Sequence, residues 1–371
     1  MTNNAAAPKG ILCLSHLAWE TTLFQRPQQL MQQFAGRGYR VSYVGCVGLR
    51  RKRQLAQSGS IPNLKWTHSG YSAQPGKLAA VRQRVAVYEM KQLLPDPVPI
   101  VWLYHPSLLS LVQSLPRKLL VYDVMDRFDA FAAGAESAAA DERILLEQAD
   151  VIFTGGASLQ TAIEQKISGL PRTGVAPACF ASGLDFSHFA AAASEAMSTA
   201  ADIATLPRPI FGYFGAVDER IDYELLSRLA QTGGSVVLVG PQITPAPDAL
   251  PANVHLLGPR PYSELPSYLH GFDVCLLPFC QSPLVDHISP TKTPEYLAGG
   301  KPVVSMMIPD VATAYGDVVK IANSAEEFVN ACRAAATEVA NIQHLQSAAK
   351  RARTWEQIAE QMDSVLQQRL T

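Results

Sequence analysis

Ile288-Ser289-Pro290-Thr291-Lys292-Thr293-Pro294-Glu295-Tyr296-Leu297-Ala298-Gly299-Gly300-Lys301-Pro302-Val303-Val304 is the stretch whose reading decides the fold. It reads as a polar loop with a lysine, a short helix with a glutamate in its first turns, a Gly-Gly exit and a buried strand. In an α/β protein, a loop and helix N-terminus at the carboxyl edge of a sheet is where phosphates sit. Free backbone N–H groups and the positive end of the helix dipole point there. Lys292 adds a full positive charge, and an ionised Glu295 can accept from two vicinal hydroxyls. The plainer reading makes the two a solvated i, i+3 pair on an ordinary helix.

Outward from this stretch the pattern strand, turn, helix, strand repeats. Residues 209–214 read as a strand, followed by a glycine turn at Gly215 and a helix reaching Leu226, with Asp222 as its cap. Gly215 lets backbone approach a ligand closely, and the N–H groups after it can face a phosphate. Residues 235–240, 253–258 and 272–278 read as further strands, with a helix over 262–269. Between Ala190 and Thr205 the chain turns alanine-rich and closes with Leu206-Pro207-Arg208-Pro209, a composition shift that marks a crossing between domains.

The N-terminal half opens with an apolar run, residues 11–15, that ends at a loop carrying His16 and Trp19. A helix starts near Pro27, turns Leu30, Met31, Phe34 and Ala35 to one face, and stops at Gly36-Arg37-Gly38 before a strand over 40–44. Such a βαβ unit is right-handed and implies a parallel sheet. Strands over 99–104 and 118–122 then deliver His105, Asp123 and Asp126 to one sheet edge, where ligands bind in open α/β folds. A carboxylate or histidine there could take a proton from an attacking hydroxyl. Asp123 is read as a cap on the following helix. His105 could equally be a packing residue at a strand end, as could Trp19. Residues 150–154 form a further strand, leading into a helix at Gly155-Gly156, and residues 341–370 read as amphipathic helix.

The 371 residues suffice for two domains, and a formal net charge of -1 gives no reason to expect a nucleic-acid binder. Six scattered cysteines, Cys13 and Cys275 among them inside apolar runs, read as reduced thiols of a cytoplasmic protein. No apolar run has the length and freedom from charge and proline that a bilayer span needs. The basic run Arg50-Arg51-Lys52-Arg53 reads as a solvated loop, or as a hold on anionic lipid. No G-x-G-x-x-G follows the first strand, which disfavours a nicotinamide dehydrogenase. No clustered D-x-D suggests a metal bridge, so no metal is assigned.

Ser289, Pro290, Lys292, Glu295 to Ala298 and Gly300 to Val304 fit the pattern S/N-P-x-K-x-x-E-Y-L-A-x-G-K-P-V-V. In this the chain resembles GT-B glycosyltransferases of bacterial polysaccharide biosynthesis, of the teichuronic acid and exopolysaccharide type. Phe24-x-Arg26-Pro27-x-x-Leu30 with Gly38-x-x-Val41-x-Tyr43-Val44 resembles the opening of the same enzymes. Gly183-Leu184-Asp185 with Phe189 resembles the turn before their interdomain crossing. Tyr213-x-Gly215 with Arg220, Asp222, Leu225 and Leu226 is similar to their diphosphate-pocket segment, and the loop 258–262 to their nucleobase loop.

The resemblance implies two Rossmann-like, doubly wound parallel-sheet domains facing a central cleft. Residues 1–205 would bind acceptor, 206–350 would bind nucleotide sugar, and a terminal helix at 351–371 would cross back to the first domain. It implies a transferase that moves a sugar from a nucleotide-diphosphate sugar to a hydroxyl of a glycan or lipid-linked saccharide, without metal or other cofactor and with UDP as the expected nucleotide. Donor contacts would be Gly215, Arg220, Arg260, His287, Ser289, Lys292 and Glu295. His16, Trp19 and Arg26 would lie on the acceptor side. Asp126 would be the base and His105 the second candidate, in an enzyme on the cytoplasmic face of the inner membrane. Two departures matter. Arg127 stands where the family pattern has a second aspartate, and His287 stands where the retaining branch has another glutamate, eight positions before Glu295. The second favours an inverting enzyme. A sugar-nucleotide epimerase of the same fold, or a non-catalytic nucleotide-sugar-binding scaffold, is compatible with the same pocket.

Overall fold

The computed structural model describes residues 9–20, 24–46, 56–57, 61–69, 71, 79–94, 100–130, 135–171 and 175–370. They fall into two compact units, one of residues 1–21, 25–180 and 355–371 and the other of residues 22–24 and 181–354. The basic run 50–53 lies outside the described residues.

In the first unit, apolar runs such as Ile11-Leu12-Cys13-Leu14 and Ile100-Val101-Trp102-Leu103 are fully buried, as strands covered on both faces must be. β1 (Gly10–Ser15), β2 (Arg40–Cys46), β3 (Ala56–Gln57), β4 (Leu64–Ser69), β5 (Ile100–Leu103), β6 (Leu119–Val124), β7 (Val151–Thr154) and β8 (Ala178–Cys179) form one sheet in the order β3-β4-β2-β1-β5-β6-β7-β8. Neighbours are parallel, apart from the antiparallel pair β3 and β4. Helix Arg26–Gly36 carries the chain from β1 to β2 on one side, while β5 pairs with β1 on the other. The loops after β1 and β5 therefore diverge, which opens a crevice at their carboxyl ends.

The second unit repeats the plan. β9 (Ile210–Phe214), β10 (Ser235–Val239), β11 (Val254–Gly258), β12 (Val274–Leu277), β13 (Val303–Met306) and β14 (Lys320–Ala322) pair in parallel in the order β11-β10-β9-β12-β13-β14. Here β9 is the strand at which the order reverses, and Gly215 follows it directly.

Three expectations shift. The alanine-rich stretch 190–205 is no boundary between units: Leu184, Phe189, Ala192 and Ile203 are buried in the core of the second, and the units change at 180/181. Burial of those four side chains outweighs what composition suggested. The expected single helix over 341–370 is two, Ile342–Ala349 in the second unit and Trp355–Leu370 in the first. Asn341 caps the one, its Oδ1 accepting from His344 N at 3.1 Å. The other is tied down by Asp363, which accepts from Tyr39 Oη at 2.6 Å. Asp123, finally, is no helix cap but a buried ion-pair partner, described below. Asp222 does cap its helix, accepting from Leu225 N at 2.9 Å.

Candidate functional site

In the second unit the site is built around the turn after β9. Gly215 has φ +143°, outside the range of L side chains, and a Cβ added to it would fall 2.0 Å from Lys292 Cε. The lysine stem thus lies directly against the Gly215 backbone. Its Nζ stands 5.5 Å from the centre of the Tyr213 ring, within cation–π range. Tyr213 is held in turn by donating its hydroxyl proton to Ala216 O at 2.7 Å. Gly240, after β10, approaches the same turn so closely that a Cβ on it would meet Gly215 O at 1.7 Å.

Helix Lys292–Ala298 presents the lysine. It is pinned to β9 by Tyr296, fully buried, whose Oη accepts from Phe214 N at 3.0 Å. Glu295 lies one turn beyond Lys292 and is half-buried. Burial disfavours its charged form and pushes the carboxyl up to about 7, against the opposing pull of Lys292. Both side chains are half-buried rather than fully solvated. Lys301, of the same stretch, is structural: its Nζ donates to His270 O at 2.8 Å.

The other expected donor contacts are placed unevenly. Arg220 forks onto Asp218, Nε to Oδ1 at 3.0 Å and a terminal nitrogen to Oδ2 at 2.6 Å, close to the Gly215 turn in sequence. Arg260 is taken up by structure: it donates to Asp202 Oδ2 at 2.9 Å, Tyr268 Oη at 2.7 Å and Leu257 O at 2.7 Å. His287 has a buried Nδ1 with no hydrogen-bond partner among the described residues. Ser289 lines a cavity of about 250 Å³ together with Pro290, Thr291, Thr293, Asp310 and Tyr315. Gly215, Lys292 and Glu295 are not among its lining residues.

In the first unit, His16 after β1 and His105 after β5 meet where the strand order reverses, with ring centres 5.0 Å apart. Phe128 closes the group, 4.3 Å from the His105 ring and 5.6 Å from that of His16. Desolvation holds both imidazoles neutral. It takes His105 down to about 4 and, with His105 as a like-charged neighbour, His16 to about 3. His105 Nδ1 is 2.7 Å from Ser107 Oγ, so the opposite edge of the ring is left for other contacts. Asp126 follows β6, half-buried, in the segment that also carries Phe128.

That segment is braced. Arg127 forks onto Asp129 at 2.8 and 3.0 Å, and Lys166 bridges Asp129, at 3.1 Å, to Glu142, which also accepts from Tyr122 Oη at 2.7 Å. Burial opposes the charge on Asp129, yet Arg127 and Lys166 hold its carboxyl at about 2. Arg127 thus replaces the expected second aspartate with a brace. Trp19 is buried, edge-on to Tyr43 at 5.1 Å.

Arg26, expected on the acceptor side, is buried instead. Its Nε reaches both oxygens of Asp123 at 3.0 and 3.1 Å, and a terminal nitrogen donates to Phe180 O at 2.7 Å. Sequence reading missed Tyr213, Asp218 and Phe128 as parts of these clusters. The signal for Tyr213 was its place two residues before Gly215, on the β9 face that ends at the turn. Among the described residues, no three His, Cys, Asp or Glu side chains gather to hold a metal ion, and no helix is long and apolar enough to cross a membrane.

No family model matches the chain. Over 111 residues it is 30% identical to TuaH of Bacillus subtilis (strain 168), a protein named for a glycosyltransferase of teichuronic acid biosynthesis. That match spans 28% of each chain, well under half of either. Likeness in structure is far more extensive. Sucrose-phosphate synthase of Thermosynechococcus elongatus superposes with a TM-score of 0.73 over 97% of this chain and 98% of its own, at 16% identity. HepE of Anabaena, in complex with UDP and glucose, gives 0.67 over 97% and 100%, at 14%. An α,α-trehalose 6-phosphate synthase of Burkholderia multivorans gives 0.69 over 97% and 98%, at 10%. At such identities the likeness establishes the fold: the chain has the GT-B fold.

Proposed function

We propose that the chain is a glycosyltransferase. It moves a sugar from a nucleoside diphosphate sugar, with UDP as the expected nucleotide, to a hydroxyl of a glycan or lipid-linked saccharide on the cytoplasmic face of a membrane. The observation that carries this reading is the contact of Lys292 with the Gly215 turn, one helical turn from the half-buried Glu295. A diphosphate needs close backbone N–H groups and a cation, and a ribose needs a carboxylate near by. Lys292 offers the cation and Glu295 the carboxylate, while at the turn the N–H groups of Gly215 and Val217 are given to Val239 O and Pro241 O at 2.8 and 3.0 Å. The HepE structure, which holds UDP and glucose, and the name of the Bacillus relative support the same class of substrate.

In this reading the second unit binds the donor. Lys292, held against the Gly215 turn, stabilises the charge that develops on the departing nucleotide diphosphate, and no metal takes part. His287, with its buried Nδ1, is kept in this reading as a further donor contact from the loop before the helix, whereas Ser289 faces a cavity that the cluster does not line. Arg220 sets the shape of the turn through Asp218 rather than meeting phosphate as a free cation, and Arg260 holds the loop after β11. The first unit binds the acceptor, and Asp126 takes the proton of the attacking hydroxyl. His105, kept neutral by burial, can accept or donate a single hydrogen bond to a sugar hydroxyl. Arg26 acts indirectly, by satisfying Asp123 beneath the site.

Calorimetric titration of the wild-type chain and Glu295→Ala with UDP, GDP and dTDP, with and without Mg²⁺, tests the donor half. Metal-independent binding of one nucleotide, lost in the variant, is the expected result. Absence of binding by any of the three sinks the reading. Acceptor-dependent release of nucleotide, abolished by Asp126→Asn with binding retained, is expected for the transfer half. Turnover of the nucleotide sugar without acceptor would point to an epimerase instead.

A further inference from the structure

We propose that the cavity lined by Ser289, Thr293, Asp310 and Arg353 is a second binding site, which takes one uncharged saccharide unit apart from the nucleotide sugar. The inference rests on the reading above only in that the cluster around Lys292 is taken as the donor site. That cluster does not line the cavity, and all the residues that do belong to the second unit. One wall is the loop and first helical turn over 289–294, and another is helix Pro309–Tyr315, which follows β13. The rest is made by two chain segments, 181–182 and 351–353, held together where Leu184 N donates to Arg353 O at 2.9 Å. The volume of about 250 Å³ lies below the ~300–1,000 Å³ usual for drug-sized ligands. It suits a single sugar ring rather than a nucleoside diphosphate sugar.

The lining carries what a sugar needs. Thr293 is 1% exposed, and its Oγ1 is buried with no hydrogen-bond partner among the described residues. Folded proteins seldom leave such a group unmet, and a ligand hydroxyl in the cavity would meet it. Ser182, Ser289 and Thr291 add further hydroxyls, and the half-buried Asp310 can accept from vicinal hydroxyls of a ring. The buried Val311 and Tyr315 offer an apolar face to its C–H side. Charge narrows the class. Arg351 is neutralised by Asp317, its two terminal nitrogens 2.7 and 2.6 Å from the two carboxylate oxygens. The remaining charges of the lining, on Asp310 and the exposed Arg353, cancel. A cavity so balanced has no excess charge to draw a phosphate or an ammonium group, and its hydroxyls favour a neutral polyhydroxy ligand.

A free monosaccharide and a unit within a glycan chain share this chemistry, and the test separates them. The full chain is titrated calorimetrically with glucose, galactose and N-acetylglucosamine, with maltotriose and triacetylchitotriose, and with inorganic phosphate. At least one sugar should bind the wild type. Tighter binding of a trisaccharide than of its monosaccharide assigns the site to a glycan chain, and equal binding to a free sugar. Thr293→Val and Asp310→Asn keep the shape of the lining and remove a hydroxyl and a charge. Each should weaken sugar binding at least about tenfold while UDP affinity stays as in the wild type. Arg353→Gln repeats the comparison at an exposed position, where folding is not at stake. The proposal is overturned if no sugar binds, if phosphate binds and sugars do not, or if all three variants bind sugar as the wild type does. It is also overturned if the variants lose sugar and UDP together, which would make the cavity part of the donor site. Sugar binding that persists in a wild type unable to bind any nucleotide would sink the glycosyltransferase reading and leave the cavity a saccharide site.

Discussion

Lys292 lies where a side chain on residue 215 would have to be, with its Cε 2.0 Å and its Nζ 2.8 Å from the position of a Cβ there. Gly215→Ala must therefore displace the lysine and also force an L residue to φ +143°. The expected cost is about 1–3 kcal/mol of stability in the second unit, with nucleotide affinity reduced at least about tenfold by loss of the lysine's placement. Gly240→Ala is expected to be worse. Its Cβ meets the Gly215 carbonyl oxygen rather than a flexible side chain, so the turn itself must open. Denaturation curves and UDP titration of the two variants check the ranking.

Glu295 sets a pH dependence with a definite sign. Its carboxyl is raised by burial to about 7 in the folded chain, from an ordinary value of 4.5. Between these values the folded state binds more protons than the unfolded one, so the stability contribution falls as pH rises through the window, by roughly 1–3 kcal/mol. Nucleotide binding runs the other way, because only the ionised carboxylate accepts from ribose hydroxyls. UDP affinity should rise from pH 6 to pH 8, and the Glu295→Gln variant should lack the part of the rise that belongs to this carboxylate. An identical pH profile for both proteins would remove Glu295 from the site.

His16 and His105 give the opposite slope in the first unit. Both are depressed by desolvation, to about 3 and about 4, so an unfolded chain takes up protons near pH 6.5 that the folded one refuses. The stability they contribute is present above that pH and is lost as pH falls toward 4. His16 and His105 should keep neutral imidazole NMR shifts down to pH 5. Asn at position 16 or 105 should flatten the acid limb of the first unit's stability curve.

The buried pair of Arg26 and Asp123 should show the asymmetry of buried charges. Arg26→Met leaves Asp123, with no exposed surface, uncompensated, and is expected to cost about 3–5 kcal/mol. Arg26→Met with Asp123→Leu should recover most of that loss, because both charges are then gone. Urea denaturation of the single and double variants decides it. If the single variant is as stable as the wild type but loses acceptor turnover, Arg26 touches substrate after all.

Much of this was legible along the chain. Apolar runs bounded by glycine and proline read as strands because both faces of a parallel sheet are covered. The stop of helix Arg26–Gly36 at Gly36-Arg37-Gly38, the cap Asp222 and the turn glycine Gly215 are local effects, and each lies where its neighbours alone would put it. The strand at 64–69 and the helix over 79–93 lacked such punctuation and emerged only in the fold.

Local rules could not say which charges are spent. Arg26 finds Asp123 across 97 positions, and Arg260 finds Asp202 across 58. Each reads along the chain as an available cation and is in fact engaged. His16 and His105 owe their neutrality to desolvation at the point where the strand order reverses at β1. The sequence by itself determined the order of elements, the turn at Gly215 and the Lys292–Glu295 spacing, because backbone geometry and hydrophobic periodicity act between near neighbours. Tertiary structure alone decided which side chains are buried, paired or neutral, because desolvation and Coulomb energy depend on distances through space, and those are fixed only when the sheets assemble.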